Sequence, residues 1–124
     1  MIAADTSALS SYFKGEQNRE TDLVHDAFRA GELVVPPVVV TEMLSDPLAR
    51  QEMLETIAEF YQLPVLEGYW VRAGEARRRL AQKRLKAKTA DALIAQSCID
   101  HDVALITRDG DFRHFAKHCG LKLA

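Results

Sequence analysis

The chain has 124 residues, of which 48% are hydrophobic and 27% charged, a length and balance suited to one soluble globular domain with a substantial core. No apolar run approaches the roughly 18 residues of a transmembrane helix, and the first residues lack the basic and apolar regions of a signal peptide, so no membrane association and a cytoplasmic location are expected. The net charge is −2, but Arg72 to Lys88 carries +7 and the remainder −9, which suggests a polyanionic partner for one surface of an acidic body.

The first stretch, Ile2 to Ala4, suits a buried strand, and Thr6 and Ser7 are helix-capping types, so a helix over Ala8 to Phe13 is expected. Gly15 ends it. Arg19 to Ala30 has Leu23, Val24, Ala27 and Phe28 at helical spacing, with Gly31 as its stop. Leu33 to Val35 is a second buried-strand candidate. Val38 to Leu44 is rich in β-branched residues, but the preceding Pro36-Pro37 argues for a helix. Asp46-Pro47 reads as a cap and first-turn pair opening a helix to about Tyr61, followed by a third strand over Leu63 to Leu66.

Gly68 precedes a predicted long helix from Tyr69 to about Leu85, with Trp70, Val71, Ala73 and Leu80 among its apolar positions. Thr89 is expected to cap a helix from Ala90 to His101. Val103 to Thr107 is the clearest strand. A short segment from Phe112 to His118 and a last short strand at Leu121 to Leu123 complete the chain. Strands alternating with helices predict a parallel sheet covered on both faces. Cys98 and Cys119 read as reduced, mostly buried thiols rather than a disulfide framework.

Four carboxylates stand in apolar surroundings. Asp5 ends the first strand. Glu42 is the only charged residue between Leu33 and Leu44. Asp91 lies in the first turn of its helix and shares a face with Ala95 and Cys98, while Gln96 and Asp100 are expected on the opposite face. Asp109 follows the strand ending at Thr107, with Asp111 just beyond. Ligands in open α/β sheets bind at the carboxyl ends of the strands, and this reading brings Asp5, Asp91 and Asp109 to that edge with Glu42 in reach. Taken singly, each acid also has a structural explanation as a cap, a turn residue or an ion-pair partner. Four anions in one partly buried pocket repel one another, and a hard divalent cation such as Mg²⁺ or Mn²⁺ resolves the conflict.

Asp5-Thr6-Ser7, Glu42 after a proline, Asp91-Ala92-Leu93-Ile94-Ala95 and Thr107-Arg108-Asp109-Gly110-Asp111-Phe112 together resemble PIN-domain ribonucleases, and within them the VapC toxins of bacterial toxin–antitoxin pairs. The resemblance covers nearly the whole chain in order and spacing. It implies a single α/β domain over residues 1–124, with a three-layer α/β/α PIN-like fold around a parallel sheet of four or five strands. It implies a Mg²⁺- or Mn²⁺-dependent endoribonuclease, silenced by a cognate antitoxin protein and forming a homodimer. The family's acidic quartet falls on Asp5, Glu42, Asp91 and Asp109, with Asp5, Asp91 and Asp109 as metal ligands. Asp111 matches a further acidic position, and Thr6, Ser7 and Thr107 match supporting hydroxyls. Gln96 departs from the family's usual alanine.

Hydrolysis by an activated water leaves a 5′-phosphate and a 3′-hydroxyl, with Glu42 orienting the water. The basic segment is not part of the family's motif. Arg84, Lys86, Lys88 and Arg108 are the candidates for contact with the RNA backbone, Lys88 foremost because it lies close to Asp91. His114 and His118, four apart, lack an evident third ligand for a metal. Tyr69 and Trp70 are candidate dimer contacts. The competing reading is a PIN module that binds RNA or protein without cutting.

Overall fold

The computed structural model describes residues 1–124. Its elements are β1 (Ile2–Ala4), α1 (Thr6–Phe13), α2 (Arg19–Arg29), β2 (Leu33–Val35), α3 (Pro37–Leu44), α4 (Gln51–Ala58), β3 (Tyr61–Gln62), α5 (Tyr69–Gln82), α6 (Thr89–His101), β4 (Ala104–Ile106) and α7 (Phe112–Cys119). The four strands form one parallel sheet in the order β3-β2-β1-β4.

That order explains the layers. The chain steps from β1 to β2 to β3 in one direction, then crosses back past β1 to lay down β4. Right-handed crossovers place the helices of the first two connections on one face and those of the last on the other. In agreement, α1 lies along α2, while α5 lies along α6 and α7. The architecture is the expected three-layer α/β/α fold. The reversal falls between β1 and β4, so their carboxyl ends open a crevice, where such folds bind ligands.

The inner strands β1 and β2 and their neighbour β4 are largely buried, whereas β3, at the sheet edge, is exposed. Ala3, Ala4, Val35 and Leu105 are fully enclosed, and such strands read as continuous apolar runs. Register is set by the pairs Ala3–Val34 and Ala3–Leu105. No helix is long and apolar enough to cross a membrane.

Several boundaries differ from the sequence expectation, each for a local reason. Asp46-Pro47 does not open a helix. The Asp46 carboxylate accepts from the Leu48 amide two residues on, which closes a turn, and α4 starts only after Arg50. β3 lies at Tyr61–Gln62 rather than Leu63–Leu66. The Leu63 amide still bonds the Val35 carbonyl at 2.9 Å, but Pro64 has no amide to continue the ladder. The fifth strand reduces to one bridge between Leu105 and Leu123.

α5 stops at Gln82, short of Leu85, in a left-handed cap. Arg84 has φ 59°, its amide bonds the Ala81 carbonyl, and the Leu85 amide bonds the Leu80 carbonyl. This is a Schellman ending with arginine where glycine is usual. Of the apolar positions of α5, Trp70 and Val71 are 66% and 64% exposed, whereas Tyr69, expected with Trp70 at a dimer contact, is buried with its hydroxyl donating to the Leu93 carbonyl. Gln96 is not on an outer face either. It is 6% exposed and donates to Asp100, which also receives two bonds from Arg72. The Arg72 guanidinium, with help from Gln96, holds the Asp100 carboxyl below the usual carboxylate range. Arg72, from the basic segment, therefore ties α5 to α6.

Candidate functional site

β1 delivers Asp5 to the crevice. Its backbone is extended (φ −89°, ψ 178°), and it caps α1 itself, accepting from the Ala8 amide at 2.9 Å. The cap expected of Thr6 or Ser7 falls one or two residues earlier, freeing both hydroxyls. Ser7 Oγ shares its proton between the two Asp5 oxygens at 2.8 and 3.0 Å. Thr107 Oγ1, at the end of β4, donates to Asp5 Oδ2 at 2.5 Å. Asp5 is 2% exposed. Burial raises its pKa, the bonds from Thr107, Ala8 and Ser7 work against that, and the charge of Asp109 adds to the rise.

The loop after β4 hangs on the same hydroxyls. The Arg108 amide donates to Ser7 Oγ, the Asp109 amide to Thr107 Oγ1, and the Asp111 amide to Asp109 Oδ1. Thr107 thus serves the buried Asp5 and the half-buried Asp109 at once. Thr107→Val removes a donor to Asp5 and an acceptor from the Asp109 amide. It is expected to lower folding stability by roughly 1–3 kcal/mol, measured by urea denaturation.

α6 supplies Asp91 in its first turn. Asp91 is 9% exposed, and its Oδ2 is buried with no hydrogen-bond partner. Burial pushes its pKa up to about 6; Asp109, Asp111 and Glu42 push the same way, and Lys88 opposes them. The converging charges are therefore felt at Asp91. Oxygens of Asp91, Asp109 and Asp111 all lie within 4.8 Å of one another. Glu42, on α3, is held at the rim by Thr6 Oγ1 at 2.7 Å.

Unpaired buried polar atoms are rare in folded proteins. An unpaired carboxylate oxygen beside two further carboxylates fits a hard cation with oxygen ligands, and no soft donor joins the group. Asp111, expected in support, belongs to this close trio. Asp5, expected as a direct ligand, lies outside it and already has four donor contacts. His114 and His118 join no metal-capable group.

The basic residues separate into two sets. Lys86 Nζ lies 3.6 Å from Asp111 Oδ2, and Lys88 is the residue before α6; both flank the acids. Arg77 and Arg79 instead bond the carbonyls of Ala87 and His118. Arg108 departs from expectation. Its guanidinium turns away to Ser11 at 3.0 Å and pairs with Glu16 and Glu20, so it is not poised for RNA phosphate. That Ser11–Glu16–Glu20 receptor went unseen in the sequence; its only local signal was an Asn18 cap followed by Glu20 in the first turn of α2.

A PIN domain family model matches residues 2–118. No curated protein sequence matches significantly. Solved structures do. FitAcB from Neisseria gonorrhoeae superposes with a TM-score of 0.74 at 20% identity, covering 99% of this chain and 96% of that one. VapBC2 from Rickettsia felis, bound to a DNA fragment from their promoter, gives 0.72 at 18% identity, with 100% and 98% covered. VapBC-5 from Mycobacterium tuberculosis, described as a member of the VapBC family of toxin–antitoxin systems, gives 0.69 at 20% identity, with 98% and 95% covered.

Proposed function

The chain belongs to the PIN domain family, and from that premise we propose that it is a Mg²⁺- or Mn²⁺-dependent endoribonuclease, the toxin of a toxin–antitoxin pair. The observation that carries the reading is the unpartnered, buried Asp91 Oδ2 beside Asp109 and Asp111. Asp91, Asp109 and Asp111 are the residues that would hold the cation. When bound, it would supply Lewis-acid polarisation of the phosphate and a water of lowered pKa.

The chain's own groups do the rest. Asp5 adds charge to the site, and a lone pair becomes free when the shared Ser7 proton settles on one oxygen. Glu42, fixed by Thr6, orients the attacking water. Ser7 and Thr107 hold the Asp109 loop against Asp5. Lys86 and Lys88, beside Asp111 and Asp91, and Arg84 just before them in sequence are the cations proposed to attract the RNA backbone. The water attacks in line and the 3′-oxygen leaves, so the 2′-hydroxyl takes no part.

An antitoxin partner is proposed by analogy with the VapBC-5 relative, and a cytoplasmic location accords with that role. Homodimerisation is proposed through the exposed Trp70 and Val71 at the start of α5, with Val65 and Leu66 beside them in sequence and also exposed. Tyr69, expected to share that contact, is committed to the interior.

The experiment is cleavage of a mixed RNA pool with Mg²⁺ or Mn²⁺, against EDTA and against single-stranded DNA. Cation-dependent RNA cleavage is expected. Binding of RNA without cleavage under every condition would establish a non-catalytic PIN module instead.

A further inference from the structure

A cavity of about 630 Å³ opens beside the acids, between α1, α3 and α4, a size typical of small-ligand sites at roughly 300–1,000 Å³. We propose that it is the subsite that seats one unstacked nucleobase next to the cleaved phosphodiester. The proposal rests on the ribonuclease reading and deepens it, because it makes this chain a reader of single-stranded RNA at one defined position.

Three observations carry it. First, the cavity is continuous with the site. Thr6 and Glu42, the bonded pair at the rim of the acids, are also two of its walls. A strand whose phosphate lies on the acids therefore presents its neighbouring base at the opening.

Second, the lining suits a base. Phe13, Met43 and Met53 give an apolar surface with one aromatic ring, and extruded RNA bases are characteristically held by aromatic stacking. Thioether side chains adapt to flat aromatic faces.

Third, polar groups stand where a base edge and its phosphate need them. Ser10 offers a hydroxyl, and Asp46 an acceptor already oriented by the Leu48 amide. Lys14 and Arg50 also line the cavity, and neither has an ion-pair partner. Arg108, by contrast, is engaged by Ser11, Glu16 and Glu20, so Lys14 and Arg50 are the cations here free for phosphate.

The test uses the full chain and a set of otherwise identical short RNAs, each with an abasic residue at a different position around the cleaved bond. Cleavage by the parent is expected to fall about 10- to 100-fold in kcat/KM at one position adjacent to the bond, the worth of one stacked base, and little elsewhere. Ala49→Phe, which fills the cavity, is expected to cleave intact RNA at the abasic rate and to lose the positional dependence. Ser10→Ala, which removes the hydroxyl offered to the base edge, is expected to weaken cleavage of intact RNA with less effect on the abasic substrate, and it serves if Ala49→Phe does not fold.

A parent that cleaves every member of the set equally would overturn the subsite while leaving the ribonuclease reading standing. So would an Ala49→Phe chain that is folded and keeps the parent's rate and profile, since the cavity would then serve another occupant, such as a protein segment. No cleavage of any RNA by the parent would overturn both.

Discussion

Asp91→Asn is expected to slow RNA cleavage by at least about 10³-fold, roughly 4 kcal/mol of transition-state stabilisation, while raising the stability of the cation-free protein. The two effects have one cause. Asp91 is buried, its Oδ2 has no partner, and it faces the charges of Asp109, Asp111 and Glu42. As a carboxylate it is the strained member of the group unless a cation arrives. As an amide it carries no charge, and its NH₂ can donate to the neighbouring carboxylates. Activity is read from initial rates with Mn²⁺ and stability from urea denaturation with EDTA. A variant that cleaves at the parent's rate would remove Asp91 from the chemistry. A variant that unfolds without cation would show that the carboxylate is structural.

The second large effect is on the coupling of cation, pH and stability. In an unfolded chain Asp91 titrates near its ordinary value of 3.8, whereas in the fold it is raised to about 6. Below the lower value both states are protonated and the group costs nothing. Between the two values the unfolded chain releases its proton while the folded chain keeps it. The penalty therefore grows as pH rises through this window and reaches roughly 3 kcal/mol above it. The stability advantage of Asp91→Asn over the parent, both cation-free, should widen over the same window and then level off.

A divalent cation reverses this. At about 100 times its dissociation constant it adds roughly 2.7 kcal/mol, on the order of 10 °C in Tm. The gain should fade as pH drops below about 6, where protons compete for Asp91. A parent whose Tm ignores Mn²⁺ at neutral pH, or a gain that persists unchanged in Asp91→Asn, would remove the cation from this site.

Much of this architecture was legible before any coordinates. Strands at Ile2, Leu33 and Ala104 have no competing periodicity, and Asp5, Asp91 and Asp109 each follow a strand end or open a helix. Pro36-Pro37 settled α3 against the pull of its β-branched residues. What was not legible depended on partners distant in the chain. The Asp46-Pro47 pair has the composition of a helix start and of a turn alike, and only the bond to the Leu48 amide distinguishes them.

Arg108 sits beside the acids in sequence, yet Ser11, Glu16 and Glu20 draw its guanidinium to the α1–α2 side. Gln96 looked like an outward residue because helical periodicity cannot anticipate the Arg72–Asp100 pair that it completes. The same limit applied to the division of labour among the acids. Motif order placed Asp5 beside Asp91 and Asp109, but the donors gathered on Asp5 and the turn that brings Asp111 round are three-dimensional facts.

The most direct measurement is the end chemistry of one RNA cleaved by the parent chain in Mn²⁺. Hydrolysis by an activated water at the acid cluster predicts a 5′-phosphate and a 3′-hydroxyl, with all cleavage lost in EDTA. A 2′,3′-cyclic phosphate, or cleavage that survives EDTA, would contradict it.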